Sequence, residues 1–197
     1  DSTYFFVALV SITFIGPLSI HLFIPAIPAV KAAFGVSTGT AQLTLSLAML
    51  SMAFVTVAYG GLSDRFGRKR ILLFGLSLFT VGVALCLLAH NIGMLIAGRM
   101  LQGAGAGCGV VLARAIARDV YGLDRAAQVI AYLTAAYVLG PMVAPPIGGT
   151  LTDMFGSRAM FVFETVVGGL LIIAAADIIQ ETRVRPARGV GLGVIAG

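Results

Sequence analysis

Arg99, Gln102, Glu164 and His21 stand out because each is a polar or ionisable side chain set inside a long apolar run. A cation such as Arg99 is costly in hydrocarbon and persists there only against protein, water or a counter-charge. Glu164 is a candidate for that counter-charge, or else a carboxyl that reaches back to the membrane interface. His21 carries a ring that changes charge near neutral pH, so it reads either as a proton carrier or as a polar contact for a substrate. Gln102 follows Arg99 by three positions, which is one face of a helix. Proton movement and exchange of ionic partners are the chemistry these four could perform. No nucleophile–base set, metal-ligand spacing or phosphate-binding loop accompanies them. The chain therefore reads as a non-enzyme, with no metal and no cofactor expected. Cys86 and Cys108 lack pair spacing and read as small packing residues.

The elements that hold these residues follow from where charge is missing. No Asp, Glu, Lys or Arg occurs between Lys31 and Asp64, between Arg70 and Arg99, or between Arg125 and Asp153. Each gap exceeds the roughly 20 apolar residues that cross a hydrocarbon core. Charged residues make up 11% of the 197, whereas a soluble domain carries about 25% to cover its surface. The two-residue alternation of a membrane barrel is absent from these runs. The fold class is thus an all-α membrane protein, surrounded by the lipid bilayer. Six helices are expected at about 4–30, 40–61, 71–89, 92–117, 126–151 and 159–179, forming one bundle over 1–182. Ser37, Thr38 and Thr40 are capping candidates for the second. The first apolar stretch is too long, and too poor in basic residues before it, for a cleavable signal.

Lys and Arg sort unevenly between the two ends of these helices. Arg65, Arg68, Lys69, Arg70, Arg118, Arg125, Arg183, Arg185 and Arg188 fall at one end, against Lys31 and Arg158 at the other. Both termini are therefore expected in the cytoplasm. The net charge of +5 does not indicate nucleic acid, because the basic residues sit in short connections and form no soluble basic face.

The connection after the second helix recurs after the fifth. Gly60-Gly61-Leu62-Ser63-Asp64-Arg65-Phe66-Gly67 returns as Gly149-Thr150-Leu151-Thr152-Asp153-Met154-Phe155-Gly156, with five identities in one register. Three helices separate the copies, which places them on opposite membrane faces. That is the signature of two inverted three-helix repeats, a plan found in transporters.

Three stretches carry further meaning. The first, Gly60-x-x-x-Asp64-Arg65-x-Gly67-Arg68-Lys69, reads physically as a tight basic turn: Gly67 tolerates positive φ and Asp64 can cap a helix start. The second, Arg99-x-x-Gln102-Gly103-x-Gly105-x-Gly107, continues to Gly109 and offers two GxxxG pairs for close helix approach. The third, Gly140-Pro141-x-x-Ala144-Pro145-Pro146-x-Gly148-Gly149, is a small-faced helix that its prolines should kink.

Together these stretches resemble the N-terminal six-helix half of a major facilitator superfamily transporter. Pro25-Ala26-Ile27-Pro28 and residues 113–121 are similar to the bicyclomycin/chloramphenicol-resistance type of drug:proton antiporter. The resemblance implies a conformational latch at the cytoplasmic face, built from Gly60, Asp64, Arg65, Gly67, Arg68 and Lys69, with Arg114 as partner in the charge network. Arg114 could instead extend to the interface. It implies a part for Arg99 in proton coupling, and an antiporter motif at Gly140, Pro141, Pro145, Gly148 and Gly149 that points to export. It also implies a bacterial inner membrane, a proton gradient in place of a cofactor, and small amphipathic compounds as substrates. The subgroup carries an acid in helix 1 shortly before its Pro-Ala-x-Pro stretch, where this chain has His21. Glu164 is expected to replace it in part. Phe23, Met49, Met52, Tyr137 and Met142 are candidate soft contacts for a substrate, or core residues; Asp177 is expected at the interface.

Superfamily transporters place substrate between two such bundles, and this chain supplies one. It is expected to be either a fragment of a twelve-helix transporter or a half that assembles with a second half, as a homodimer or otherwise, with the assembled half preferred. Arg99 is then expected to be sheltered by a cleft that only the second bundle completes. A non-transporting membrane interaction partner is the alternative. Residues 183–197 read as a cytoplasmic linker or truncated tail.

Overall fold

A computed structural model describes residues 2–182, so the tail at 183–197 lies outside the described residues. Six helices are long and apolar enough to cross a membrane: α1 (Thr3–Phe34), α2 (Thr38–Phe66), α3 (Arg68–Leu87), α4 (Ile92–Gly122), α5 (Arg125–Phe155) and α6 (Ala159–Ile178). Ser37 opens α2 by accepting the Thr40 amide at 3.1 Å, and Asn91 opens α4 by accepting that of Met94 at 2.8 Å.

Two expectations need correction. α1 is not continuous: a 3-10 turn at Ile24–Ala26 separates a helix that ends at Phe23 from one that starts at Ile27. Pro25 and Pro28 remove the backbone donors that would have carried the α-helix through. The basic stretch 60–66 is not a turn either. It completes the last turns of α2, and only Gly67 (φ 104°) separates α2 from α3. Asp64 therefore lies inside a helix and caps none. Charged residues can continue a helix past the apolar core, so charge marked the bilayer edge and not the helix end.

The repeat is visible in the backbone. Gly67 and Gly156 (φ 82°) both end a helix with their N–H bonded four residues back, to Ser63 at 3.0 Å and Thr152 at 2.9 Å. Gly35 (φ 62°) and Gly122 (φ 66°) take the equivalent places after α1 and α4. Among the described residues these four are the positive-φ positions.

α1 and α4 form the centre. In their most apolar windows 61% and 67% of residues are buried, against 11% for α2 and 22% for α5. The glycines of α4 explain this position. A Cβ at Gly103 would meet the Ala48 backbone of α2, one at Gly105 the Phe79 backbone of α3, and one at Gly109 the Ile12 backbone of α1. Gly107 faces Met52 and Thr56 of α2. So Gly103 and Gly107 share one partner helix, while Gly105 and Gly109 divide between two. The small stripe lets three neighbours approach α4 closely.

Candidate functional site

Arg99, Gln102 and Glu164 meet in the interior. The Arg99 guanidinium donates to Gln102 Oε1 at 2.6 Å, and Gln102 Nε2 donates to Glu164 Oε2 at 2.8 Å and to Ser19 Oγ at 2.7 Å. Arginine has only donors, so the Gln102 oxygen must face it and the amide nitrogen must face the carboxylate. The amide dipole thus lies between a cation and an anion in the favourable sense. Arg99 also sits over the Phe23 ring, 4.3 Å from its centroid. Arg99 is 1% exposed and Glu164 2%. Two polar atoms are left over: Arg99 Nε and Glu164 Oε1 are buried without a hydrogen-bond partner.

Each helix sets its side chain in place for a local reason. Arg99 and Gln102 are three apart on α4 and share a face. Ser19 and Phe23 are four apart on α1, and the break after Phe23 leaves its ring at the end of the regular helix. Glu164 lies on the buried face of α6 with Phe161, Gly168 and Leu171.

The placement decides several expectations. Glu164 does not reach the interface; it lies beside Gln102 as the acidic member of the cluster. His21 is not part of it. Its Nδ1 donates to the Pro17 carbonyl at 2.8 Å on its own helix, and residues two apart on a helix point different ways. The polar group that α1 supplies is Ser19, which sequence reasoning passed over. Phe23 is no open substrate contact, being buried between Arg99 and Phe161, whose ring lies 6.1 Å away. Nor does Arg99 need a second bundle for shelter, since this one encloses it.

At the basic face the charge network centres on Arg68. It pairs with Asp64 at 2.5 Å and with Asp119 of α4 at 3.1 Å, and its NH1 donates to Ser63 Oγ at 2.5 Å. Glu181, beyond α6, accepts the Arg68 amide at 2.7 Å, while Lys69 donates to the Ala176 carbonyl at 2.6 Å. The start of α3 and the end of α6 therefore cap one another. A side chain at Gly67 would run into the Glu181 carboxylate. Arg65 and Arg114 make no ion pair among the described residues, which corrects the expected pairing. Arg65 lies over the Phe66 ring at 5.3 Å, and Arg114 reaches only Thr134, at 3.5 Å. Asp119 and Glu181 were missed; an acid just before or just beyond a helix end is weak information until its neighbours are known.

On α5, Gly140, Ala144 and Gly148 are buried at four-residue spacing. Gly140 faces Pro17 and Gly148 the Leu22 backbone of α1. Ala144 occupies the place of the motif's glycine within this stripe. Pro141 is exposed, Pro145 half-buried, and a Cβ at Gly149 or Gly60 would meet nothing within 4 Å among the described residues. Met49 and Met142 are exposed, Tyr137 is half-buried, and Met52 packs near Gly16 and Gly107.

Residues 9–192 match the sequence profile of the Major Facilitator Superfamily. The chain is 30% identical over 175 residues to Multidrug resistance protein D of Escherichia coli K12, covering 89% of this chain and 44% of that protein. It is 32% identical over 170 residues to an uncharacterized MFS-type transporter, YdgK, of Bacillus subtilis 168, covering 85% and 42%. It is 31% identical over 167 residues to Multidrug resistance protein MdtL of Escherichia coli O45:K1, covering 85% and 43%. The chain thus spans less than half the length of these curated relatives.

Proposed function

This chain belongs to the Major Facilitator Superfamily, and from that premise we propose that it works as one half of a proton-coupled exporter of small amphipathic compounds. The family consists of transporters, so the working cycle is a change of access and not bond-making chemistry. The drug-resistance relatives support the substrate class and the outward direction. In this reading the chain lies in a bacterial inner membrane with its termini in the cytoplasm, and a second six-helix half, in a homodimer or as a C-terminal half, completes the substrate cavity.

One observation carries the coupling: a buried carboxyl and a buried guanidinium joined through a single glutamine. With Glu164 ionised, the cluster is neutral overall and Gln102 is held at both ends. Proton uptake by Glu164 leaves the cluster with a net positive charge and weakens its bond from Gln102. Gln102 also holds Ser19, so this change reaches α1, against which α5 packs its small stripe. Loading and unloading one proton can thereby shift α1 and α5 relative to α4 and α6.

Transport of drug and proton in liposomes tests the reading. Wild-type protein should acidify or alkalinise the lumen when drug is added. Glu164→Gln should bind drug but lose drug-driven proton movement, and Arg99→Ala should lose both transport and coupling. Drug-driven proton flux that survives in Glu164→Gln would refute the assignment.

A further inference from the structure

We propose that the cavity at the His90 end of the bundle is a water-filled vestibule that gives protons access to Glu164 from the outer face, apart from the route taken by transported compounds. This rests on the reading of Glu164 as the proton carrier. The cavity measures about 270 Å³ and lies between α1, the end of α3, the start of α4 and the start of α6. Ala33, Phe34, Ala89 and Ser157 line its walls, and the exposed His90 and Arg158 stand at its rim.

Its floor adjoins the cluster on two helices at once. Leu95 lines the cavity one turn before Arg99 on α4, and Phe161 lines it one turn before Glu164 on α6. Those separations are about 6 and 4.5 Å along the axes. Cys86 of α3 also lines the cavity, where its thiol donates to the Leu95 carbonyl at 3.8 Å. The unpartnered atoms, Glu164 Oε1 and Arg99 Nε, belong to the two charged groups beneath this floor. Buried polar atoms without protein partners are the usual holders of internal water.

In the opposite direction α4 is packed tightly against three helices. Backbone-close contacts of Gly103 with Ala48, Gly105 with Phe79 and Gly109 with Ile12 fill the next turns of α4. The vestibule thus brings water toward the cluster from the His90 end, with the Phe161–Phe23 pair as the barrier. Vestibule water delivers the proton to the Glu164 carboxylate, and its release to the other face belongs to the opposite state of the access change proposed above. Among the described residues, the groups near that carboxyl are Gln102 and Arg99 on α4, Cys86 on α3 and, from α1, the uncharged Ser19, with Lys31, His90 and Arg158 farther out. His21 is turned to its own helix.

Native Cys86 provides the first test, with Cys108 of the interior as internal control. In oriented vesicles holding the full-length protein, a small impermeant thiosulfonate should modify Cys86 from the outer face about tenfold faster than Cys108, and should leave Cys86 untouched from the inner face. Second, Ala33→Cys is modified in a Cys86→Ala/Cys108→Ala background, with the exposed Ala32→Cys as comparison. A bulky adduct at position 33 should slow pH-driven transport about tenfold relative to the same unmodified variant, by obstructing proton transfer, and change drug affinity at fixed pH less than twofold. Modification of Cys86 from the inner face only, or undiminished transport after modification at position 33, overturns the vestibule. Glu164→Gln separates the two readings. If its transport keeps a normal pH dependence, the antiporter reading fails; if it loses that dependence while the adduct at 33 has no effect, only the vestibule fails.

Discussion

Among single residues, Gln102 is the one whose chemistry cannot be exchanged for another. It accepts from Arg99 and donates to Glu164 and Ser19, a pattern that needs an oxygen and two N–H groups on one side chain. Breaking a buried ionic arrangement at one end leaves the other charge uncompensated, at a cost of about 3–5 kcal/mol, whereas replacing both ends with apolar groups of similar volume is often neutral. Arg99→Met and Glu164→Met should therefore each lower the melting temperature in detergent markedly. The double variant should melt above either single one while remaining unable to couple drug to proton. Additive losses in that cycle would show that the two charges do not share one network. The polarity of Arg99 and Glu164 was legible in the sequence because hydrocarbon makes any charge conspicuous. Ser19 was not, because the rotation of α1 that brings Ser19 and Phe23 inward and turns His21 aside is set by packing against α4 and α5.

Elements show the same division between what local chemistry dictates and what neighbours decide. The six spans, the repeat and the breaking glycine at 67 follow from apolar length and from one backbone angle, and they were readable. The true ends of α2, α4 and α5 were not, because residues 62–66, 118–122 and 152–155 continue their helices past the apolar run. Glycine pairs likewise announced close packing without naming the partner. Within the α5 motif the structure separates two glycines that are adjacent in sequence. A Cβ at Gly148 would meet the Leu22 backbone, while one at Gly149 meets open space. Gly148→Ala should then destabilise the bundle by about 1–3 kcal/mol through overpacking. Gly149→Ala should leave it unchanged or strengthen α5 by up to about 1 kcal/mol of helix propensity. Unfolding of the two variants in mild detergent decides this, and equal losses would mean that α5 does not seat on α1 as described.

For the whole molecule, the question is what covers α2 and α5. Their exposed faces carry Leu50, Phe54 and Val57 on one and Val138, Leu139 and Met142 on the other. Apolarity alone does not require a protein partner, since lipid solvates such faces equally well. The polar features beside them argue more strongly. A Cβ at Gly60 of α2 or Gly149 of α5 would meet nothing within 4 Å among the described residues, where the half-buried Arg114 has one long contact to Thr134 and an unpartnered Nε. Open glycines admit a close helix, and an unsatisfied guanidinium calls for acceptors, neither of which acyl chains supply. A second half seated along α2 and α5 would meet both needs. Single cysteines at Val57 and Val138 should therefore form disulfide or short bifunctional cross-links to helices of a second bundle, whereas one at Phe74, exposed on α3, should not. Two differently tagged copies expressed together then identify the partner. Cross-linked pairs carrying both tags establish a homodimer, and links confined to one tag establish a second half on the same polypeptide. If Val57 and Val138 cross-link no better than Phe74, α2 and α5 face lipid, and the cavity-forming half that the transport cycle needs is not seated there.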